Sequence, residues 1–476
     1  MKWFNSVFSF QLIVVSSLIN CTAAFSQDNY NLPCGADAVV PGVDANEVLS
    51  AGHIYSGGLS TICVSKEDKG NTVWKSNVKT GFSKFDDELN VILSFAAHSN
   101  TLIGLTSSYI NNGKGVLFAI QASSGSLLWQ KDLSFENDEI SLHGFSNLVV
   151  TPSNDIAFTY SASYLEGTYE KSRQYFKIFK SDGALKVSNI VAATESPPHA
   201  YPKNTWLKTL KYDSENDKFY SFGFRRNFTA ITLNSDGSVK SRYKGPSNLS
   251  NRHAGTLMSV HELGDGSGYA AIVNKIALLE NEKCSGKDDC FRTFVVNKDG
   301  SFRSTSLIEN TDFTLSEKLF AVQDAKGIVS WVWPANNYSL KVTTFSDDFM
   351  ETTTKQIFLN NSDSSFILAN QHVKISEIVR EGNKLLILGA ASSSKTKKID
   401  FWFKTSIDLA SGFQDSLETF SDFPPNTGRV YIGSEIHVEQ ESSYLGSGNF
   451  LQYITYKPVT ESGASQAKVF VKSWKF

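Results

Sequence analysis

Residues 115–129 read Gly-Val-Leu-Phe-Ala-Ile-Gln-Ala-Ser-Ser-Gly-Ser-Leu-Leu-Trp, and this stretch indicates how the whole chain folds. The apolar run from Val116 to Gln121 favours a strand. Ser123-Ser124-Gly125 then predicts a tight turn, and a second strand follows that ends at Trp129. Degenerate copies of this strand–turn–strand unit recur along the sequence, so the repeat decides the architecture.

The composition points to an ordered, all-β protein. Of the 476 residues, 20% are charged and the formal net charge is -3, which fits neither a nucleic-acid-binding protein nor a disordered chain. The 34 Phe residues supply large apolar side chains for a β core. Apolar and polar residues alternate over short spans broken by Asn, Asp, Ser and Gly, a pattern that predicts strands and turns.

Two features alternate along the chain. The first is a turn that leads into an apolar strand, and its copies recur about every 57 residues. These copies begin at Gly52, Asn100, Asn154, Asn216, Gly268, Gly327, Asn383 and Asn449. The second feature is a pair of strands joined by a tight glycine turn. Its glycines are Gly81, Gly125, Gly183, Gly237, Gly300 and Gly412.

The turn residues predict hairpins of a particular type. Asp precedes Gly183, Gly237 and Gly300, and Asp-Gly is typical of type I′ turns because both residues tolerate positive φ. One copy lacks its glycine, and Asp347-Asp348 stands in that place.

The repeat favours a single β-propeller over residues 25–476, because a unit of three or four strands cannot bury its apolar face alone. Eight blades fit the spacing best. Seven blades with one long insertion and two packed β-sandwich domains are the alternatives. Only one strand, Ala467 to Phe476, follows the last copy. We therefore expect Asp28 to Val43 to supply the outer strand of the last blade and close the ring by pairing N- and C-terminal strands.

Residues 119–129 resemble the repeat of quinoprotein-type (PQQ-repeat) β-propellers. The matching positions are Ala119, Gln121 (where Asp is usual), Ser124, Gly125 and Trp129. The match is partial elsewhere: Lys79-Thr80-Gly81 keeps the turn, but Phe85 stands where Trp is expected. The resemblance implies an eight-bladed ring. Quinoprotein dehydrogenases hold their cofactor with adjacent cysteines, a Trp and Ca²⁺, and no adjacent cysteine pair occurs here, so we predict no cofactor.

The N-terminus predicts a secretory signal peptide over residues 1–24. Lys2 precedes a mostly apolar run from Val7 to Ile19, and Thr22-Ala23-Ala24 offers small residues for cleavage. No later apolar run is long enough to cross a bilayer, so we expect no membrane span after cleavage. The predicted location is extracellular.

Four cysteines remain after removal of the signal: Cys34, Cys63, Cys284 and Cys290. An even number in an oxidising compartment predicts two disulfides, for which three pairings are possible. Cys34–Cys63 and Cys284–Cys290 are favoured because each closes a local loop. The chain also contains four N-glycosylation sequons, which predict exposed, glycosylated asparagines at Asn227, Asn248, Asn337 and Asn360.

No motif in the sequence predicts catalysis or a metal site. The eight His residues lack paired zinc-ligand spacing, and Gly-x-Ser-x-Gly, Walker and Rossmann patterns are missing. Asp265-Gly266-Ser267-Gly268 resembles a fragment of a Ca²⁺ loop but is explained as a blade turn. Trp331 and Trp333 share one face of a strand, which favours the blade core over a sugar-stacking platform.

These observations predict a secreted, glycosylated, non-catalytic propeller that acts as an extracellular binding or matrix protein. Loops at one end of the ring would engage a protein or glycan partner, and we expect no nucleic-acid partner. The alternative is a secreted hydrolase or quinone-type oxidoreductase. Its active site would be assembled in the central channel from several blades, and residues gathered in that way need not be close in sequence.

Overall fold

The computed structural model describes 25 segments of the chain. These are residues 32–34, 37–42, 47–56, 59–83, 89–108, 115–133, 139–167, 169–193, 207–224, 228–244, 257–274, 290–309, 319–324, 326–336, 339–346, 351–358, 372–392, 401–411, 414–415, 417–422, 431–432, 435–436, 439–446, 448–456 and 468–476. Within them the protein is all β, apart from one 3₁₀ turn at Ala97–Ser99.

The strands form successive antiparallel sheets, which we call blades one to eight. Blade one contains β1 (Ala38–Pro41), β2 (Glu47–Ser56), β3 (Leu59–Asp68) and β4 (Asn71–Ser83). Blade two contains β5 (Leu89–Ala96), β6 (Thr101–Ser108), β7 (Gly115–Gln121) and β8 (Leu127–Leu133). Blade three contains β9 (Glu139–His143), β10 (Val149–Val150), β11 (Ile156–Glu166), β12 (Tyr169–Phe179) and β13 (Leu185–Ala193).

The next three blades have four strands each. Blade four contains β14 (Leu207–Asp213), β15 (Lys218–Phe224), β16 (Phe228–Asn234) and β17 (Val239–Lys244). Blade five contains β18 (Leu257–Glu262), β19 (Gly268–Asn274), β20 (Cys290–Asn297) and β21 (Phe302–Glu309). Blade six contains β22 (Phe320–Gln323), β23 (Val329–Asn336), β24 (Ser339–Phe345) and β25 (Thr352–Phe358).

The C-terminal part of the chain completes the set. Blade seven contains β26 (His372–Glu381), β27 (Lys384–Ser392), β28 (Phe401–Asp408) and β29 (Glu418–Phe420). A small hairpin follows, made of β30 (Tyr431–Ile432) and β31 (Glu435–Ile436). Blade eight contains β32 (Glu439–Gly446), β33 (Asn449–Tyr456) and β34 (Lys468–Lys475).

Contacts between neighbouring blades run all the way around the set. Each blade contacts the next through its first strands, and β32 of blade eight contacts β1 of blade one. The eight sheets seen in the described residues therefore form an eight-bladed propeller, as the repeat predicted, and neither seven blades nor two sandwiches are observed.

The predicted closing strand is wrong. β1 lies inside the segment Asp28 to Val43, but it pairs with β2 of its own blade, from Ala38 opposite Ala51 to Pro41 opposite Val48. Among the described residues, no strand pairing joins blades one and eight. The physical reason is that β2 would otherwise present an unpaired inner edge, which β1 covers. The ring is closed by packing between β32 and β1.

The core lies between the blades. One apolar cluster joins Leu49 and Val64 of blade one to Leu102 and Phe118 of blade two. Another joins blades five and six and contains Trp331 and Trp333, both fully buried. The prediction that these two tryptophans belong to the core is confirmed.

Seven of the eight predicted turn-to-strand starts are confirmed in the described residues. Asn100, Asn154 and Asp217 adopt positive φ values just before their strands, a conformation that Asn and Asp tolerate well. The exception is Gly52, which lies in the middle of β2, because that strand already begins at Glu47.

The glycine turns differ from the predicted type. At Gly183, Gly237 and Gly300 only the glycine has positive φ, and its N–H donates to the carbonyl three residues earlier, as in the 2.9 Å bond from Gly183 to Lys180. This is a type I turn followed by a glycine bulge, because the Asp carboxylate accepts a backbone N–H within the turn and holds the Asp at negative φ. Gly81 lies inside β4, and blade one turns at Lys69 and Gly70, both at positive φ.

Candidate functional site

In a sheet of four consecutive antiparallel strands, the turn between the first and second strands lies at the same end as the turn between the third and fourth. We call this end of the ring the turn face, and the interface between blade n and the next blade seam n. Most of the described turns belong to this face.

The first four seams are built from one repeated contact on the turn face. The outer strand of each blade places a side chain against the turn glycine of the next blade, four residues after its own turn glycine. The pairs are Trp74 on Gly125, Trp129 on Gly183, Val187 on Gly237 and Ser241 on Gly300. A Cβ atom on Gly183 would lie 2.8 Å from the Trp129 ring, so this position requires glycine in both its φ and its lack of a side chain.

In the first two seams the contact is a tryptophan that also donates a hydrogen bond. The Trp74 Nε1–H donates to the Ala122 carbonyl at 2.8 Å, and the Trp129 Nε1–H donates to the Ser181 carbonyl at 2.7 Å. The glycine-to-tryptophan spacing of the repeat is therefore a clamp between blades. Sequence reasoning missed the copy formed by Gly70 and Trp74, although its spacing is the same as that of Gly125 and Trp129.

The outer strand of each of blades one to five carries a β-bulge just after its turn. In blades three and five, the bulge directs the side chain three residues after the glycine back over the inner turn of the same blade. In blade three this residue is Lys186, whose Nζ lies 2.5 Å from Asp155 Oδ2. In blade five it is Arg303, which donates to Ser267 Oγ at 2.7 Å.

The third seam contains a cavity of about 280 Å³ that opens at the turn face. Here the repeat has Val187 in place of tryptophan, so no indole covers the seam. Ile178 and Phe219 form its apolar part. Four hydroxyl residues (Thr151, Ser153, Tyr212, Ser235) and four charged residues (Asp155, Lys186, Asp217, Asp236) line the rest.

Hydrogen bonds hold the polar lining in place. Besides the ion pair of Lys186 with Asp155, the Tyr212 hydroxyl donates to Asp217 Oδ1 at 2.8 Å. Asp236 Oδ1 accepts the backbone N–H of Ser238 at 2.8 Å. Oδ2 of Asp217 and Oδ2 of Asp236 have no hydrogen-bond partner among the described residues, so each carboxylate keeps acceptor capacity on the solvent side.

The cavity is electronegative. Burial, the hydrogen bond to Asp217, and the charges of Asp217, Asp155 and Asp213 together raise the pKa of Tyr212 to about 12. Hydrogen bonds from Ser238 lower the pKa of Asp236, so this carboxyl is ionised at neutral pH. In the part of the lining that the structure describes, three carboxylates face one ammonium group, that of Lys186.

The fourth seam is filled at its corresponding place by a lysine. Lys298 Nζ lies 3.0 Å from Asp213 Oδ2 and 2.7 Å from Glu262 Oε1. Burial opposes the charge of Lys298, but the hydrogen bonds to Glu262 and Asp213 outweigh it and raise the pKa. Lys298 stands two residues before its turn glycine, where blade four has Ser235.

One of the two predicted disulfides is present. Cys34 is bonded to Cys63, which ties the segment before β1 to β3. Cys284 lies outside the described residues and Cys290 begins β20 without a described side chain, so that pairing stays a prediction. The signal segment, residues 1–24, also lies outside the described residues.

The four sequon asparagines, Asn227, Asn248, Asn337 and Asn360, lie outside the described residues as well. In sequence they fall between β15 and β16, β17 and β18, β23 and β24, and β25 and β26. The ends of these strands that flank the sequons lie at the end of the sheets opposite the turn face. Their glycosylation stays a prediction.

Other polar groups that the sequence singled out do not form a second site. Within the described residues, no three potential metal ligands lie together. Burial, followed by the charge of Lys211, lowers the pKa of His261 to about 4. Asp265 accepts the N–H and hydroxyl of Ser267 in a blade turn, as predicted. None of the helices described here has the length and apolar character needed to span a membrane.

No family model matches the sequence, and no curated protein matches it. Solved structures with a similar fold include Saccharomyces cerevisiae Sqt1, with a TM-score of 0.48, 10% identity, and coverage of 94% of this chain and 99% of that chain. The quinohemoprotein alcohol dehydrogenase of Comamonas testosteroni has a TM-score of 0.46 and 11% identity, covering 93% of this chain and 75% of that one. The WD40 domain of SCAP from fission yeast has a TM-score of 0.42 and 9% identity, covering 91% and 94%. Similarities of this size concern the fold alone.

Proposed function

We propose that this protein is a secreted interaction propeller that binds an extracellular protein on its turn face, with the third-seam cavity at the centre of the contact. The observation that carries the proposal is the cavity itself. Its volume lies just below the roughly 300–1,000 Å³ typical of small-molecule pockets, which suits a single side chain. Its rim is polar and its floor apolar, the usual arrangement of a recognition pocket.

Two observations support secretion, and a third supports the choice of the binding face. Residues 1–24 have the pattern of a signal peptide. The buried Cys34–Cys63 disulfide is typical of an oxidising compartment. The sequons fall at strand ends opposite the turn face, so glycans attached there would leave that face open to a protein partner.

The chemistry of the cavity favours recognition over catalysis. Asp155 is held by Lys186 and Asp217 by Tyr212, so two of the three carboxylates already have fixed partners. Among the described residues that line the cavity there is no His or Cys, the side chains that most often act as a general base or a thiolate nucleophile. A rigid, hydrogen-bonded rim is suited to orienting a bound group.

The proposal is tested by expressing the full chain in secreting eukaryotic cells and measuring its amount in the medium and its mobility after N-glycosidase treatment. We expect export and a mobility shift. Retention in the cell contradicts secretion.

The binding surface is tested by crosslinking the secreted protein to its partner in extracellular material. Ser153→Trp places a bulky group at the exposed rim of the cavity, and we expect it to abolish capture of the partner. Ser99→Trp, in the matching turn of blade two, is the control that should capture normally. Equal capture by both variants contradicts a contact centred on the cavity.

A further inference from the structure

The strand register makes the third and fourth seams directly comparable. Tyr212 pairs with Phe219 in blade four as Glu262 pairs with Tyr269 in blade five. Nearest the turn, Thr151 N–H donates to the Asp155 carbonyl at 2.9 Å, as Leu263 N–H does to the Gly268 carbonyl, and Asp213 pairs with Lys218. The next pair is Val150 with Ile156 in blade three and Tyr212 with Phe219 in blade four, so Val150 matches Tyr212. The residue after Val150 therefore corresponds to Asp213.

The three residues of the fourth-seam ion cluster thus have identifiable counterparts in the third seam. Asp213, Lys298 and Glu262 correspond to Thr151, Ser235 and Tyr212, and all three counterparts line the cavity. The chain fills the fourth seam with its own lysine. In the third seam it supplies a short serine at that place, and the space stays open.

The open seam nevertheless keeps a negative rim. Asp217 and Asp236 are exposed at its mouth, and the Oδ2 atom of each is available. Among the described lining residues Lys186 is the only cation, and it is engaged with Asp155. The uncompensated charge therefore calls for a cation from outside.

We propose that the third-seam cavity binds a lysine or arginine side chain of the partner protein, a step that rests on the proposed function above. The aliphatic stem would lie against Ile178 and Phe219, and the charged end would donate to Asp217 and Asp236. A bare metal ion fits less well, because the described carboxylates do not converge into a group of three. An extended cation matches both the apolar floor and the separated acids.

The test uses the full secreted chain and a short probe, the peptide acetyl-Gly-Ser-Gly-Lys-Gly-Ser-Gly-amide, with binding measured by titration calorimetry. We expect acetylation of the probe's lysine to weaken binding by about tenfold or more, because the charge is lost. Asp217→Asn with Asp236→Asn should weaken it similarly. Asn keeps both turns, since it tolerates positive φ and still accepts the Ser238 N–H.

Asp299→Asn is the matched control, since it makes the same change in the equivalent turn of blade five, and binding should be unchanged. Ser235→Lys should block the probe, because the new lysine would occupy the cavity as Lys298 occupies the fourth seam.

Full affinity for the acetylated probe, or unchanged binding of the probe to Ser235→Lys, overturns the proposal. Suppose that Ser153→Trp abolishes capture of the partner but acetylation of the partner's lysines leaves capture intact. The interaction role is then retained, and a basic side chain is rejected as the group that enters the cavity. Tighter binding of Ca²⁺ or free mannose than of the lysine probe also rejects it.

Discussion

The second and third seams use the same repeat position, and they differ in the side chain that stands there. Trp129 covers the second seam and donates to a carbonyl of the next blade, whereas Val187 contacts its glycine and leaves a cavity beside it. The glycine is required in both seams, because either side chain lies against it. The comparison shows that the side chain four residues after the turn glycine decides whether a seam only holds two blades together or also has space for a ligand.

The largest expected effect comes from removing the clamp. Trp129→Ala should lower the free energy of unfolding by about 4 kcal/mol, because it removes a large apolar contact and the hydrogen bond to Ser181. Val187→Ala should cost about 1 kcal/mol, because less surface is lost. Urea unfolding measures both costs. It is monitored by far-UV circular dichroism, so that the loss of tryptophan fluorescence in the variant does not affect the comparison. Equal costs would mean that the indole does not hold the second seam.

Blade one adds a buried titratable group to the comparison. Glu67 is fully buried at a register position where the next four blades have Ile120, Phe179, Leu233 and Val296. Its Oε1 has no hydrogen-bond partner among the described residues. Burial raises the pKa of Glu67 from 4.5 to about 7, against hydrogen bonds from Thr72 and Ser65 that lower it.

This shift predicts a pH dependence with a definite sign. Between pH 4.5 and 7 the folded state binds the Glu67 proton more tightly than the unfolded state, so stability is full below pH 4.5 and falls as the pH rises through 7. The loss should be on the order of 3 kcal/mol. Glu67→Gln should remove it, which unfolding at pH 4 and pH 8.5 would measure. Glu215→Gln, at an exposed carboxyl, is the control; a pH profile of Glu67→Gln that matches the wild type would reject the assignment.

Two glycine-to-alanine variants separate the cost of the contact with the tryptophan ring from the cost of the backbone conformation. Gly183 and Gly81 both have positive φ, at 79° and 68°, but only Gly183 lies under a ring, and nothing lies within 4 Å of a Cβ at Gly81. Alanine at either position strains the backbone by about 1–2 kcal/mol. Gly183→Ala should cost about 2 kcal/mol more, because the methyl group would meet Trp129. Thermal unfolding compares the stability of the two variants. Equal losses of stability would show that Trp129 can move aside for the added methyl group.

The regular part of the fold was predictable because its signals are local. Asn100, Asn154 and Asp217 mark strand starts through a backbone conformation that few residue types adopt. The N-terminal strand was misplaced although the sequence held the evidence. The favoured pairing of Cys34 with Cys63 already ties the start of the chain to blade one, which argues against β1 lying in blade eight.

The cavity was not predictable from motifs. It arises where the repeat has a valine in place of a tryptophan, and that replacement becomes visible only after the turn glycines of the blades have been aligned. Its charged residues come from separate turns of two blades, as with Asp155 and Asp236, which are far apart in sequence and carry no shared spacing. The useful signal was the position four residues after each turn glycine, which reads Trp, Trp, Val and Ser from blade one to blade four.

The smallest expected effect comes from converting the third seam into a copy of the second. In Val187→Trp the indole should lie on Gly237 and donate to the Ser235 carbonyl, as Trp129 does to Ser181. Filling the seam should stabilise the protein by about 1 kcal/mol. The same variant should lose partner capture, because the indole would cover the cavity. A gain in melting temperature with capture intact would separate the cavity from binding. A fall in melting temperature would show that the spacing between blades three and four differs from that between blades two and three. The shape of the third seam would then depend on more than the side chain at position 187.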